Sequence, residues 1–596
     1  MYATLEQALL DLEKAGMLKR IHEEVDPNLE MAAIAREAFA RGDKAILFEK
    51  VKGSKFRAAC NIFGSEERMQ FLFRKELQSV KDAVRFKSNP AFFFKQFHPL
   101  RYLRTAKAGL ASLPAKGGSL HDFEECRLSD LPQIKCWPED GGAFITLPQV
   151  ATRPHQESGI METNVGMYRV QISGNDYAPD ECGLHYQIVR DIAKHHQEAL
   201  AEGRALKVSV FVGGPPSHTI AAIMPMPENL SELVFAGMLG GRRFRYFIHD
   251  GYIVSSDADF CILGEVAPDL KPEGPFGDHI GYYSAKHPFP FIKVKKVLAK
   301  KNAIFPFTVV GRPPQEDTIF GSFIHQITKP MVPASIPGVH AVHAVDDAGV
   351  HSLCLALASE QECPYNRNRE PMGILKTANA LLGFNQVSLS KYLFLAAKED
   401  NPALDVNKVP EFFEHLLKRL DGSRDFHFQT STTIDTLDYT GTRLNHGSKL
   451  VLAPVGEARR TLRNTPEDLN TLQLAEGFAR AQVIMPGVIA MEASPSANWE
   501  TLAGILSHWE YRENYPWVSL VDSTQDMDLR DFLWETFTRS DPAQDVHGLN
   551  EKFIDKHWQI EMPLILDART KPNYQKKLCA PAAIEARAKS ILDGAE

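Results

Sequence analysis

Cysteine is scarce and irregularly spaced. The chain has 596 residues and 8 cysteines, and no two of them form a C-x-x-C pair. That excludes a zinc ribbon, a thioredoxin motif and an iron–sulfur run. It fits reduced thiols in a cytoplasm. Long apolar runs are missing too: nothing approaches the roughly 18 residues of a membrane span. The start, Met1-Tyr2-Ala3-Thr4, has no basic segment leading into an apolar core, so no signal peptide is expected. A cytoplasmic protein is expected, with room for peripheral contact with a greasy substrate. Positive charge is not in excess either. Lys and Arg number 67 against 75 Asp and Glu, a net charge of −8, which gives no support for nucleic-acid binding. Several motifs are also absent. There is no G-x-x-x-x-G-K-[ST], no G-x-G-x-x-G after a strand, no H-E-x-x-H and no G-x-S-x-G, so the P-loop, dinucleotide, zincin and serine-hydrolase readings lose their main support.

What is present is a globular composition, 44% hydrophobic and 24% charged, long enough for about four structural units. Helices are expected over 5–18 and 28–41, with a strand at Ala45–Val51. Residues 66–116 read as helical and basic. They include Phe92-Phe93-Phe94, a buried helix or a docking surface. From about 130 to 310 short β-rich runs dominate, Tyr168–Ile172, Lys207–Val212, Arg245–Ile248, Phe260–Val266 and Phe291–Val297, as in a β-barrel or sandwich. One helix, Asn229–Leu239, interrupts them and ends at Gly240-Gly241. Beyond 320 the texture is α/β, with a buried run at Val339–Val345 and helices near 369–382 and 408–419. Two stretches there resemble each other. Lys391–Leu395, a helix, Arg419…Asp425 and Leu450 onward match Trp517–Val521, a helix, Thr538…Asp545 and Leu564 onward.

Three segments carry chemistry. In Glu162…Gln171, a strand from Met167 onward puts Arg169 on one face with Met167 and Gln171. An Arg there suits a carboxylate, and taken alone a surface Arg beside a turn at Asn164 is the simpler reading. Glu232 follows Asn229 by three residues, a capping-box spacing that explains it structurally. Glu273 and Asp278 lie five apart in the loop Pro272-Glu273-Gly274-Pro275-Phe276-Gly277-Asp278. Close carboxylates raise one pKa and make a proton donor near neutral pH. A Gly-rich turn is the bland alternative.

Taken together and in order, these segments resemble the UbiD family of decarboxylases. N-x-G-x-Y-R-x-Q matches Asn164 to Gln171, S-E-x-x-F-A-G matches Ser231 to Gly237, and E-G-P-F-G-[DE]-x-x-G-Y matches Glu273 to Tyr282. Pro313-Pro314-x-Glu316-Asp317 and Ala45…Gly53 add support. The resemblance covers 1–65 and 128–385 well and 386–460 and 515–570 loosely.

The resemblance implies an α+β fold. A split β-barrel flavin domain (129–318) would lie between an N-terminal α/β piece (1–128) and a C-terminal α/β oligomerisation domain (319–480), with 481–596 an extension that could be a second α/β copy. It implies prenylated FMN, Mn²⁺ or Mg²⁺, and K⁺. The implied metal ligands are Asn164, His185 and Glu232, and His185 reads alternatively as an ordinary helix-start residue. Met167, Tyr168, Arg169, Leu184 and Lys391 would also bind cofactor, although Lys391 fits a solvated strand end as well. His195-His196 read as a solvated helix face. Arg169, Glu273 and Asp278 would form the catalytic trio, Arg169 clamping the carboxylate, Glu273 tuning it and Asp278 delivering the proton that replaces CO₂. The substrate would be an aromatic or α,β-unsaturated acid, with quinone (menaquinone or ubiquinone) biosynthesis favoured. The partners would be a flavin prenyltransferase and other copies of the chain, as a homodimer or homohexamer. Rival readings are a catabolic aromatic-acid (de)carboxylase, a plain FMN oxidoreductase, and a non-catalytic subunit of a carboxylase complex.

Overall fold

A computed structural model describes residues 1–88, 99–186, 191–226, 230–360, 369–572 and 574–595. Phe92-Phe93-Phe94 and Asn229 lie outside the described residues. The chain divides into two compact units, Met1–Thr328 with Lys577–Glu596, and Lys329–Lys576.

In the first unit, helix Leu5–Lys14 starts where Thr4 accepts a hydrogen bond from the Gln7 N–H, and it buries Leu5, Leu9 and Leu12. A four-stranded sheet follows. Leu18–Val25 runs parallel to Ala45–Val51, which pairs with Arg57–Cys60. Its last strand, Ile304–Pro306, comes from far along the chain and ties this layer to the central sheet.

The central sheet has nine strands, including the short Glu124–Cys126 strand paired to its middle. Its main order is Phe144–Ile145, Val170–Gln171, Glu181–Leu184, His287–Ala299, Phe260–Glu273, Lys207–Val212, Pro148–Thr152 and Asn164–Gly166. Asn164–Gly166 is thus the last strand at one edge, and Val170–Gln171 lies beside the other edge. Only residues 167–169 join them. Four Cα steps reach at most about 14 Å, whereas six strand spacings across a flat sheet are about 29 Å. The sheet therefore curls until its edges meet, forming a half-barrel split at Met167-Tyr168-Arg169. The expected strand through 167–172 is broken here. Met167 gives its N–H to Ala222 O at 2.9 Å rather than to a ladder neighbour, so Arg169 sits on a crossing and not on a strand face.

Helix Glu232–Gly240 is capped by Ser231, whose side chain accepts from Leu233 N, and it ends at Gly241 with φ 59°. Such a φ is nearly free of cost only for glycine. His195 and His196 are not a solvated face. His196 is buried, and His195 lies 3.0 Å from the Thr152 hydroxyl. Last in this unit, helix Ala582–Gly594 packs on Glu30–Ala40.

The second unit holds two five-stranded sheets of identical design. Each is an antiparallel pair, two parallel steps and a closing antiparallel pair: Val339–Ala344, Leu353–Ala358, Tyr392–Ala397, Gly447–Leu452, Phe426–Thr432 in one, and Phe478–Met485, Val488–Ala493, Trp517–Val521, His557–Asp567, Val546–Ile554 in the other. The expected boundary at 480 falls inside the strand Phe478–Met485. The turn after each copy's helix matches in detail. Asp421 N–H bonds to the Asp425 carboxylate at 2.8 Å, and Asp541 N–H to the Asp545 carboxylate at 2.6 Å. Strand Val339–Ala344 is half-exposed instead of buried, because it is an edge strand.

One apolar core serves both copies. Its aromatic centre holds Phe394, Phe413, Trp517 and Phe537, with ring centroids 5.6 to 6.2 Å apart. Polar contacts bridge the copies in both directions: Tyr392 to Ser540 at 2.7 Å, and Ile560 N–H to Gly422 O at 3.0 Å. Among the described residues, no helix is long and apolar enough to cross a membrane.

Removing a fully buried ring from a shared core costs about 3–5 kcal/mol. Trp517→Ala is therefore expected to destabilise both copies together. Denaturant unfolding of the full chain should show the Lys329–Lys576 unit still melting in one transition, at lower denaturant. Two separated transitions within that unit would contradict a shared core.

Candidate active site

Arg169 is placed by the crossing just described. Its carbonyl accepts the His185 N–H at 3.2 Å. Gly166 precedes it for a packing reason: a Cβ there would lie 2.2 Å from the Tyr168 ring. Glu273 ends strand Phe260–Glu273, opposite His287.

The loop carrying Asp278 is closed by Ser284, which gives its N–H to Phe276 O and accepts the Phe276 N–H on its hydroxyl. It is anchored by Asp140. That buried carboxylate accepts N–H bonds from Cys136, Trp137 and Gly277. Burial pushes its pKa up to about 6 despite those three donors. The chain's last residues reach the same loop, where Leu578 N–H bonds to Gly281 O at 3.1 Å.

The structure brings Arg169, Glu273 and Asp278 together. Arg169 Nε and Nη2 meet the two Glu273 oxygens at 2.8 and 3.0 Å, a bidentate pair. Arg169 Nη1 bonds to Asp278 Oδ2. The guanidinium also lies over the Phe276 ring, 4.7 Å from its centroid. Glu273 is 0% exposed.

Two nearby acids were expected to raise one pKa. They do not, because Arg169 stands between them. Burial opposes ionisation of Glu273, but Arg169 and His185 outweigh it and hold the carboxyl far below its ordinary value. Burial likewise opposes ionisation of Asp278, and His279 with Arg169 overcomes it, so this pKa is lowered as well.

The implied metal ligands fall into two groups. Asn164 and Glu232 line one cleft of about 300 Å³. The Glu232 carboxylate accepts the Val165 N–H at 2.8 Å. Asn164 Nδ2 is buried with no hydrogen-bond partner among the described residues. His185 instead turns Nδ1 toward Arg169 Nη2 (3.1 Å) and Glu273 (3.3 Å). Burial, then Arg169, lowers its pKa, which favours the neutral imidazole a metal needs. Two oxygen donors and one imidazole suit a hard divalent cation; Asn164 would offer Oδ1 to it, while its orphaned Nδ2, a donor, suits an acceptor such as a phosphate oxygen. The residues fit the group in chemistry, with Nε2 the nitrogen His185 can offer.

Of the other expected cofactor contacts, Met167 is half-buried against the second apolar core, and Tyr168 and Leu184 are buried in the first. Leu184, fully buried and paired with Val170 in the sheet, offers no exposed surface to a ligand. Lys391 belongs to the other unit. There it is 1% exposed and ion-paired with Asp438 at 2.7 Å, so it presents no spare charge to a phosphate as it stands. His279 and Ser284 were missed from sequence. The signal was available, since both lie in or beside the matched Glu273–Tyr282 loop. Asp317, noted only as part of a motif, is an acid whose pKa burial raises to about 6.

A curled half-barrel with a buried Arg between two acids is the candidate active site. Comparisons with known proteins give the family. The sequence models of the 3-octaprenyl-4-hydroxybenzoate carboxy-lyase N-terminal, Rift-related and C-terminal domains match residues 9–87, 112–313 and 318–453. A Chlamydia pneumoniae protein named as a subunit of 4-hydroxybenzoate decarboxylase is 35% identical over 566 residues, 93% of this chain and 92% of its own. The solved vanillic acid decarboxylase of Sedimentibacter hydroxybenzoicus, in closed form, has a TM-score of 0.63 at 21% identity, covering 78% of this chain and 96% of that one. An evolved dimeric form of the UbiD-class enzyme HmfF from Pelotomaculum thermopropionicum, in complex with prFMN, has a TM-score of 0.56 at 20% identity, covering 78% and 98%. The chain belongs to the UbiD family and is a decarboxylase, a carboxy-lyase, of that class.

Arg169→Met would strand Glu273 as an unpaired buried charge. The expected loss is about 3–5 kcal/mol at neutral pH. Glu273 has a depressed folded pKa. Its contribution is therefore full above the unfolded value near 4.3 and fades as pH falls toward the folded one. Urea unfolding should show the gap between wild type and variant narrowing below about pH 4. A gap that widens in acid would contradict the assignment.

Proposed function

We propose that this chain is a non-oxidative decarboxylase of an aromatic or α,β-unsaturated carboxylic acid that works with prenylated FMN. The carrying observation is the Arg169–Glu273–Asp278 constellation at the split of the half-barrel. Asn164, Glu232 and His185 would hold Mn²⁺ or Mg²⁺ for the cofactor phosphate, with K⁺ as the implied second ion. When bound, the prenylated flavin supplies an electron sink for the breaking C–C bond.

The chain's own residues do the rest. Glu273 holds the Arg169 guanidinium by two bonds, so Arg169 meets a substrate carboxylate in one orientation. An incoming carboxylate competes with Asp278 for Nη1. Asp278 then loses the opposing charge of Arg169, while its burial and its two bonds from His279 remain, so its pKa moves up from the low value it has beside Arg169. Substrate entry thereby turns Asp278 into an acid able to protonate the carbon from which CO₂ departs. The balance is RCOO⁻ plus one proton giving RH and CO₂. The reverse carboxylation uses the same groups.

Quinone biosynthesis is the favoured setting, in keeping with the prenylated hydroxybenzoate in the matched family's description. A second reading, a catabolic decarboxylase of small hydroxylated aromatic acids, is favoured by the name of the Chlamydia pneumoniae relative. In either setting a flavin prenyltransferase would supply the cofactor, and self-association of the chain is expected.

The test is the chain co-produced with a flavin prenyltransferase and purified without oxygen. The released cofactor should have the mass of prenylated FMN. Aromatic acids turned over in D₂O should carry deuterium at the vacated carbon. Asp278→Asn should keep its flavin and lose roughly 10²–10⁴-fold in kcat, the range for a lost general acid. Plain FMN in an active enzyme, or an Asp278→Asn variant at full speed, would sink the proposal.

A further inference from the structure

Asp278 is not held by Arg169 alone, and its two oxygens are treated differently. Oδ2 faces Arg169 Nη1. Oδ1 accepts two hydrogen bonds from the neighbouring residue: the His279 backbone N–H at 2.7 Å and His279 Nδ1 at 2.9 Å. Nδ1 is taken as the protonated ring nitrogen, because a carboxylate oxygen already receiving one N–H is the acceptor in the second contact. The Asp278 backbone is pinned as well, since its N–H bonds to Tyr282 O at 3.0 Å and its carbonyl accepts the Gly281 N–H at 2.9 Å. The carboxyl therefore has a fixed stem and one saturated oxygen.

We propose that His279 is a positioning residue that decides which oxygen of Asp278 carries the transferable proton. A proton on Oδ1 would point into two N–H donors, and one of those hydrogen bonds would have to break. A proton on Oδ2 costs neither bond. It lies on the side where Arg169 and the substrate carboxylate meet, the side from which it must be delivered. A carboxyl without His279 keeps only the backbone donor on Oδ1. It can then turn about its Cβ–Cγ bond and spend its proton on either oxygen.

The inference rests on the functional reading above, in which Asp278 is the acid. It adds a residue that acts through Asp278. It also suits the short Asp at this position. Asp has one fewer rotatable bond than Glu, and two donors on one oxygen remove the freedom that is left.

The test uses the loaded full chain and four variants. His279→Leu removes the ring donor at similar size. His279→Asn returns a donor near the position of Nδ1, whereas His279→Gln carries its amide further out, nearer Nε2. The fourth variant, Asp278→Asn, is the control on the underlying reading. Loss of one charge-assisted hydrogen bond predicts that His279→Leu and His279→Gln lose roughly 10- to 100-fold in kcat. KM should stay within about twofold, because Arg169 still binds the carboxylate. His279→Asn should recover most of the rate. Flavin content and melting temperature should be unchanged across the His279 series.

If Asp278→Asn turns over at full speed, the acid assignment itself is wrong. If Asp278→Asn is inactive while His279→Leu is as fast as wild type, only the positioning role is overturned. Equal losses for Asn, Gln and Leu would also overturn it, since a donor at Nδ1 would then not be what matters. Should His279→Leu fail to fold, the contrast between His279→Asn and His279→Gln decides the matter by itself.

Discussion

A crossing of three residues governs this enzyme. Asn164–Gly166 and Val170–Gln171 belong near opposite edges of one sheet, and only Met167-Tyr168-Arg169 lie between them. The backbone cannot stretch across a flat sheet of that width. The curl, the split and the place of Arg169 all follow from this. Residues freed from the strand ladder must find other partners, and they do: Met167 uses Ala222, and Arg169 uses His185. The guanidinium then emerges at the seam, where the end of a long strand brings Glu273 to meet it.

The seam concentrates buried charge. Arg169, Glu273, Asp278 and His185 are all shielded from water, and such a cluster persists only if each charge has a partner. One cation thus stands between two carboxylates. The arrangement is held together by Arg169 and is poised to respond to any new anion that competes for it. The low pKa of both acids is thus set by Arg169 and the histidines beside it, not by the spacing of the acids along the chain.

The second unit holds two sheets of one design that differ at one end. Strand register makes Tyr392 equivalent to Trp517, Leu353 to Val488 and Leu450 to Leu564. Lys391 and Lys449 stand immediately before Tyr392 and Leu450, and Pro516 and Pro563 immediately before Trp517 and Leu564; His351 stands two residues before Leu353, and Pro486 two before Val488. Three basic side chains thus correspond to three prolines. In the first copy the buried lysines need Asp438, Thr440 and the carbonyls of Ser388 and Ser390 to satisfy them. Prolines make no such demand, having neither a charge nor an N–H donor. The second copy retains what the shared aromatic core requires and has dropped the polar end.

Much of this was legible in the amino-acid order. Lys207–Val212 and Ala45–Val51 form where short apolar runs place them, and helix Val409–Leu417 follows its apolar period. The trio Arg169, Glu273 and Asp278 could be named because loop motifs keep their residue types in order along the chain. Local patterning also set the helix stop at Gly241, where backbone conformation depends on the residue itself. What only the tertiary structure decided depends on partners far apart in sequence. Asn229 has the spacing of a cap, yet Ser231 is the cap, because its hydroxyl also reaches Thr163 O. Two nearby acids imply a raised pKa until the fold inserts Arg169 between them from 104 and 109 residues away. The last residues of the chain read as the tail of an extension, but they fold back onto the loop beside Asp278. Periodicity and turn chemistry are properties of neighbours in sequence; the charge state of a buried carboxyl is a property of whatever the fold packs against it.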